Sequence, residues 1–362
     1  MFSPRCRFTL ARHVGSTQIY VPFSLAPSTR SPPIGARQFH PGNVRQAQDL
    51  PPGRFRERLA NLPEAARLRA LEWLRDFHFT ELDLHSLHID ASGGIFYADT
   101  FTLQATPVPS ADEPVIGAAA IPITPFPANL KFHSRPGSPN VLYLNFAGET
   151  ITSGEWTNEV GRGSIPAVAC STDADYSTYS DTEQLAIKQI WQRAVEDYAP
   201  FDIDVTTERP ATFTTRTAHA LITRNTDANS DPNPYSSSGG VAYVNVFASS
   251  SYATYRPAWI YFNNLGNDES YIAEATAHEI GHNLGLSHDG RTDGTEYYGS
   301  HGSGDTSWDR SWAPVTTVTS ANGARAIIIW PIIPRMTSPL FPAKSPTAPM
   351  IVAIPRARPH RW

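Results

Sequence analysis

The sequence predicts a mixed α/β fold, and three observations support this prediction. Residues 141–146 alternate apolar and mixed side chains in the manner of a sheet strand. Ser180 and Glu183 form a capping box that opens a long amphipathic helix. Further strands are predicted at 201–205 and 218–223. The buried stripe of the helix is predicted to contain Ile187, Ile190, Trp191, Ala194 and Val195. Strands that alternate with helices favour a globular α/β domain.

A second helix carries the pattern H-E-x-x-H-x-x-G-x-x-H. His278 and His282 lie one turn apart on the same helical face, so both imidazoles can reach one metal ion. Glu279 projects beside that ion, where it can take a proton from a metal-activated water. Gly285 allows the chain to leave the helix in a left-handed conformation, which brings His288 round as a third ligand. Three histidines with an open fourth position are typical of a catalytic zinc site.

The flanks of this motif favour a buried helix. Asp268 or Ser270 is predicted to cap its N-terminus. Its apolar packing is predicted to come from Ile272, Ala275, Ile280 and Leu284.

This stretch resembles the metzincin clan of zinc endopeptidases, and His-Asn-Leu-Gly followed by His-Asp most resembles the reprolysin, or adamalysin-like, branch. The resemblance implies zinc on His278, His282 and His288, with Glu279 as general base and protein or peptide as substrate. It also implies a twisted mixed sheet with a backing helix and an active-site helix, and it implies that Asp289 buttresses the turn beside Gly285. The specific part of the resemblance is residues 278–289, within a broader match over about 140–312.

A second segment, 239–247, resembles the strand that lines the substrate cleft in these enzymes. Its central residues are Gly240, Val241, Ala242 and Tyr243. An edge strand at this place would pair with an extended peptide, main chain to main chain. An ordinary sheet strand explains the same residues equally well.

An oxygen-rich loop offers a second metal hypothesis. Asp227, Asn229 and Asp231 place side-chain oxygens at alternate positions, as calcium loops do. The segment lacks the glycine and distal glutamate of an EF-hand. The alternative is a solvated loop of Asx turns.

Composition limits the remaining function classes. A chain of 362 residues is long enough for one large domain and a smaller one. A net charge of −5 gives no reason to expect a nucleic-acid partner. No apolar run approaches the length of a membrane span. The sequence does not indicate an oligomeric state.

The chain divides into five predicted segments. Residues 1–50 are rich in Pro, Ser and Arg, and we expect them to be disordered, transit-like or spurious. Residues 51–105 form a small helical module, either a propeptide that folds over the cleft or an accessory domain. Residues 106–139 are a Pro-rich linker and 140–314 are the catalytic domain. Residues 315–362 are an aberrant Pro-rich tail.

The tail departs from the family pattern. Metzincins carry a methionine in a tight turn beneath the zinc, whereas this chain has only Met1, Met336 and Met350. After Trp312-Ala313-Pro314 the composition changes abruptly, which motivates the hypothesis that the tail is out of frame. Sequencing the transcript across 312–320 tests it. The alternative is a genuine divergent tail with Met336 in the turn. A chain without a Met-turn could also be a catalytically inactive fragment that binds zinc or peptides.

The N-terminal region leaves localisation open. The resemblance implies a secreted protein, yet no apolar segment with a cleavage site begins the chain. Pro4-Arg5-Cys6 faintly resembles a propeptide cysteine that blocks zinc in another metzincin branch. A free thiol is the simpler expectation for Cys6, since Cys170 is its only possible disulfide partner in the sequence.

Overall fold

The architecture follows from a computed structural model, which describes residues 37–100, 122–173 and 175–288. The strands in these ranges are β1 (Gln38–Phe39), β2 (Phe79–Thr80), β3 (Leu87–Ile89), β4 (Ile95–Asp99), β5 (Val141–Asn145), β6 (Glu149–Ile151), β7 (Ile165–Ala167), β8 (Asp204–Thr206), β9 (Thr217–Thr223), β10 (Gly240–Tyr243) and β11 (Ala258–Tyr261). The α-helices are α1 (Arg54–Asn61), α2 (Glu64–Trp73), α3 (Glu155–Glu159), α4 (Asp181–Tyr198), α5 (Tyr252–Tyr255) and α6 (Glu269–Asn283).

A seven-stranded sheet organises these elements in the order β3-β4-β10-β11-β9-β5-β8. Its β8, β5, β9 and β11 strands pair in parallel. The direction then reverses, because β10 is antiparallel to β11 and β4 is antiparallel to β10. The result is the predicted mixed α/β fold with a backing helix and an active-site helix.

Helices α4 and α6 pack together over the main core. Ser180 and Glu183 form the capping box of α4, as predicted, with each side chain bonded to the other residue's backbone. Ile187, Ile190 and Ala194 are buried in the core that α4 shares with α6. Trp191 and Val195 are only partly buried, but they pack against the same core.

The N-terminal part of the chain is built around a core of its own. Buried side chains from Phe39 to Tyr97 form this cluster, and Val244 is its one member from the later part of the chain. We call residues 37–99 the N-terminal module. It begins earlier than predicted, because β1 pairs with β2 and Val44 is fully buried, so residues 37–50 are folded rather than disordered.

Two other segments differ from the sequence-based expectation. Residues 128–130, within the expected linker, form a short 3-10 helix that buries Leu130 in the main core. Strand β11 was not predicted, although it pairs in parallel with β9 at the centre of the sheet. The described residues include no helix long and apolar enough to cross a membrane.

Candidate metal centre

Helix α6 positions the two histidines of the motif. Asp268 is its N-cap, and the carboxylate accepts hydrogen bonds from the backbone N–H groups of Ser270 and Tyr271 at 2.8 and 3.3 Å. This capping satisfies donors that the first helical turn leaves unpaired. The apolar residues predicted for α6 are buried in the main core, so the helix is fixed along its whole length.

Gly285 ends the helix as the motif predicts. Its φ angle is 90°, in the left-handed region, and the N–H of Leu286 donates to the carbonyl of Gly281 at 2.9 Å. A Cβ at this position would lie 2.9 Å from Oδ1 of Asn245, so the space is also closed to a larger residue. The turn directs the chain back towards α6 and delivers His288 to the two helical histidines.

The three imidazoles converge at their Nε2 atoms. Nε2 of His278 lies 2.9 Å from that of His282 and 3.2 Å from that of His288. Each of the three residues is at most 5 % exposed. Ligands around a tetrahedral zinc with bonds of about 2.0–2.1 Å are separated by roughly 3.3 Å. The spacing of the three nitrogens is therefore close to that of a zinc site.

A fourth donor joins this cluster, and the sequence analysis did not find it. Asp99, the last residue of β4, places Oδ2 3.2 Å from Nε2 of His278 and 3.1 Å from Nε2 of His282. Its other oxygen lies 3.3 Å from Nε2 of His288. One donor atom from each of the four residues fits within 4.8 Å of the others. The only feature of the sequence that could have indicated Asp99 as a donor was the alternation of Ile95, Tyr97 and Asp99 along a short strand.

The imidazoles are oriented by contacts to their other ring atoms. Nδ1 of His282 lies 2.8 Å from the carbonyl oxygen of Leu286, and Nδ1 of His288 lies 3.2 Å from Oδ1 of Asp83. With these nitrogens protonated, both Nε2 atoms face the centre as acceptors, as metal-bound histidines require. The ring of Tyr97 stacks on that of His282 at 4.1 Å, and its hydroxyl donates to Asp83.

Glu279 lies beside the four donors and is fully buried. Neither carboxylate oxygen has a hydrogen-bond partner among the described residues. Burial raises the pKa of Glu279 well above its usual range, and the neighbouring charge of Asp99 raises it further. A Cβ built on Gly240 would overlap this carboxylate, so the glycine of β10 provides the space that Glu279 fills.

The charges of the cluster also shift the pKa values of its members. Burial lowers the pKa of His278 to about 4, and the neighbouring His282 lowers it further, despite the opposing effect of Asp99. Burial acts to raise the pKa of Asp99, but the charge of His288 and hydrogen bonds from the histidines outweigh it, so this pKa lies well below its usual range. The cluster therefore places an ionised carboxylate beside three imidazole rings, a donor set that suits a divalent cation.

The predicted cleft strand lies next to this centre. All of Gly240, Val241, Ala242 and Tyr243 are buried in β10. Ala242 faces the main core, whereas Val241 and Tyr243 face an aromatic cluster on the other side. Residues 244–247, which the sequence analysis included in this strand, leave it: the N–H groups of Asn245 and Phe247 donate to the carbonyls of His282 and Asn283 at the end of α6.

The predicted calcium loop is occupied by an arginine. Nη1 of Arg162 lies 2.7 Å from Oδ2 of Asp227 and 3.2 Å from Asp231. The other oxygen of Asp227 accepts from the backbone N–H groups of Asn229 and Asp231 at 2.9 and 3.0 Å. These are the Asx turns of the alternative interpretation. Calcium is not supported at this loop.

Several predicted features lie outside the described residues. They are Asp289, the cysteine at position 6, Met336, Met350 and the whole tail from residue 315. The free thiol of Cys170 is buried, and burial raises its pKa.

A mixed sheet, a backing helix and an H-E-x-x-H helix with a third histidine are typical of metallopeptidase domains of the zincin type. Residues 196–328 match the family model described as metallo-peptidase family M12B, reprolysin-like. The match supports a reprolysin-like metzincin over this segment, and that family implies zinc at the histidine centre. No curated protein and no solved structure matches the chain.

Proposed function

We propose that this chain is a zinc-dependent endopeptidase in which Glu279 is the general base. The observation that carries the proposal is the convergence of three Nε2 atoms beside a buried carboxylate that has no hydrogen-bond partner among the described residues. A buried acceptor without a partner is costly unless it serves a ligand or a reaction. The family match supports peptidase chemistry in general.

The residues have separable tasks in this mechanism. His278, His282 and His288 would hold zinc, which supplies Lewis acidity towards a peptide carbonyl and lowers the pKa of a coordinated water. Glu279 accepts a proton from the attacking water and passes it to the departing amine. Strand β10 is paired with β11 on one side and β4 on the other, so it is not the edge strand that the sequence predicted, and its main chain would orient a peptide only if β4 left its edge.

Replacing the base tests this mechanism. Glu279→Gln keeps the shape of the side chain but cannot take up a proton, so we expect peptide cleavage to fall by about 10²-fold or more. Zinc content should stay at one ion per chain, measured by metal analysis after dialysis. Glu269→Gln is the matched control, because Glu269 lies on the same helix and pairs with Arg193 rather than with the centre. Equal cleavage by Glu279→Gln and the natural sequence would exclude this role.

One observation favours a second function, a zinc-binding protein without turnover. Asp99 supplies the fourth protein donor that a closed structural site requires. Zinc stoichiometry together with a broad peptide-library digest separates the two functions. One bound zinc and no cleavage, in both the natural sequence and its Asp99 variants, would support the second.

A further inference from the structure

A solvent-open cavity of about 560 Å³ lies between the C-terminal end of α3 and the segment that leads into β10. Its lining comes from residues within 159–162 and 231–237, so the N-terminal module contributes none of it. Cavities of this size hold small ligands or single side chains. The cavity lies outside the histidine centre, and neither the proposed mechanism nor the sequence analysis gives it a task.

The charged groups of the cavity leave an excess of negative charge. Its lining contains the carboxylates of Glu159 and Asp231 and one guanidinium, that of Arg162. This guanidinium is already engaged, because Nη1 lies 2.7 Å from Asp227 and 3.2 Å from Asp231, and Nη2 donates to the carbonyl of Pro232 at 2.6 Å. Arg162 therefore faces two carboxylates before Glu159 is counted. Charge complementarity favours a cationic ligand.

Glu159 is a half-buried carboxylate on one side of the cavity. Its Oε1 accepts a hydrogen bond from the hydroxyl of Tyr235 at 3.0 Å. Burial raises the pKa of Glu159, and the charges of Asp90 and Glu155 raise it further, against the opposing effects of the Tyr235 bond and of Arg58. The surroundings thus penalise the ionised carboxylate, and a cation bound beside it would relieve that penalty.

Two further residues of the lining suit a guanidinium or an ammonium group. Tyr235 contributes an aromatic ring, and aromatic rings attract cations electrostatically. Asn233 is only 2 % exposed, and its Oδ1 has no hydrogen-bond partner among the described residues. Because a buried acceptor without a partner is costly, an N–H donor that enters the cavity would gain a bond here.

The wall formed by residues 231–237 is held in place by the neighbouring strands and loops. The carbonyl of Pro234 accepts from the hydroxyl of Tyr261. The carbonyl of Ser236 accepts from the side-chain amides of Asn264 and Asn225 at 2.8 and 3.2 Å. A wall that is fixed before binding loses little conformational freedom when a ligand arrives.

The cavity is close enough to the histidine centre for one peptide to reach both. Ser237 lines the cavity, and Gly240, three residues later, begins β10. A Cβ built on Gly240 would overlap the carboxylate of Glu279. Because consecutive Cα atoms are about 3.8 Å apart, Ser237 lies at most roughly 11 Å from Gly240. An extended peptide covers that distance in about three to four residues.

We propose that this cavity binds an arginine or lysine side chain of the peptide substrate, at one position within about four residues of the bond that is cut. The inference rests on the proposed peptidase function, because it names the substrate class of the same site. The residues that line the cavity include neither the histidines nor Glu279, so the cavity can be altered without changing a zinc ligand or the base.

Binding to the full chain is measured first. The probes are Nα-acetyl-arginine amide and Nα-acetyl-citrulline amide, which have nearly the same shape but differ in charge, and ligand-observed NMR gives their affinities. The test variant combines Glu159→Gln with Asp231→Asn. Asp202→Asn is the control, because it removes an exposed carboxylate that pairs with Arg135 and does not line the cavity. Thermal melting verifies that each variant is folded.

We expect the natural sequence to bind the arginine probe roughly tenfold more tightly than the citrulline probe, because two carboxylates and an aromatic ring act on the charge. The double variant should lose most of this preference, and Asp202→Asn should keep it. Equal affinity of the natural sequence for the two probes would overturn the proposal, whether or not the double variant folds. A preference that persists in the folded double variant would overturn it as well.

Cleavage by the zinc-loaded chain tests the link to the substrate. Paired peptides carry arginine or citrulline at a single position, which is scanned over about four residues on either side of the scissile bond. We expect kcat/KM to be roughly tenfold higher with arginine at one position, and the double variant to lose that difference.

Failure of this proposal and failure of the peptidase function give different results. Cleavage without a preference for arginine at any position would overturn the proposal and leave the endopeptidase assignment intact. A preference for the arginine probe without cleavage of any peptide would contradict the endopeptidase assignment but support the cavity as a site for a basic side chain.

Discussion

The histidine centre and the 227–233 loop both bring metal-binding side chains together, yet only the first retains the character of a metal site. At the centre, four donors face one another within 4.8 Å. In the loop, the guanidinium of Arg162 neutralises the buried carboxylate of Asp227. Both oxygens of Asp227 are already used by arginine or by backbone N–H groups.

The difference shows what distinguishes a metal site from an oxygen-rich turn. A bound cation relieves the repulsion between convergent donors, and the histidine centre has the donor set for a metal in that role. In the loop, the protein supplies the cation as a side chain. Spacing in the sequence does not separate the two cases, because Arg162 lies 65 positions before Asp227.

The largest expected effect follows from removing a ligand at the centre. His282→Asn should lower zinc affinity by more than about 100-fold, since loss of a direct ligand exceeds the 10–100-fold effect of outer contacts. Competition with a chromogenic chelator measures it. His133→Asn is the control, because this partly exposed histidine pairs with Asp204 and Glu208 away from the centre. Unchanged affinity in His282→Asn would remove the distinction between the two sites.

The next effect concerns the arginine in the loop. Arg162→Ala should lower the free energy of unfolding by about 3–5 kcal/mol, because it leaves the carboxylate of Asp227 buried without its cation. Arg193→Ala breaks a partly exposed pair with Glu269 and should cost under about 1 kcal/mol. Urea unfolding measures both. Millimolar calcium should leave the melting temperature of the natural sequence unchanged, and a clear rise would restore the calcium hypothesis.

A smaller effect is expected from the contact behind His288. Asp83→Asn should weaken zinc binding by about 10–100-fold, because Asp83 orients this imidazole through Nδ1. Chelator competition at constant pH measures the change. Asp49→Asn provides the matched loss of charge within the same module. Equal zinc affinity in Asp83→Asn and the natural sequence would show that the turn after Gly285 orients His288 unaided.

The last effect separates burial of a histidine from metal binding. His219 is buried outside the centre, and burial lowers its pKa to about 3; the charges of Arg256 and Arg209 lower it further, whereas Glu149 opposes them. In the unfolded chain the His219 imidazole takes up a proton near pH 6.5, whereas in the folded chain it does so only near pH 3. The natural sequence should therefore lose stability as pH falls from 6.5 towards 3, by about 1.4 kcal/mol per pH unit.

His219→Gln removes the loss of stability that comes from protonation of His219 in the unfolded chain. Acidification should therefore destabilise the variant less than the natural sequence. Urea unfolding at several pH values, with a chelator present throughout, measures the difference without interference from zinc release. A pH-independent difference would show that His219 titrates normally in the folded protein.

The site was predictable from the sequence only where its geometry is local. The spacing of His278 and His282, the left-handed turn at Gly285 and the cap at Asp268 depend on neighbours within one or two turns, and the structure has each as predicted. Asp99 lies 179 positions from His278, and only the pairing of β4 with β10 brings them together.

The fold shows the same limit. The capping box of α4 and the strands β5 and β9 follow from local pattern, and all are present. The module's place in the sheet depends on tertiary pairing between β4 and β10, which neither strand indicates by itself. The calcium hypothesis is not supported for the same reason, because Arg162, which pairs with Asp227, is distant from it in sequence.

The pairing of Asp99 with Gly240 also sets a register. Side chains of a strand alternate between two faces, so Asp99 and Tyr97 point to the histidines while Phe96 and Ala98 point to the aromatic cluster around Trp156. A slip of one residue between β4 and β10 would turn the carboxylate towards that aromatic face. The length of the five-residue strand after Gly94 is thus as important to the centre as the identity of Asp99 itself.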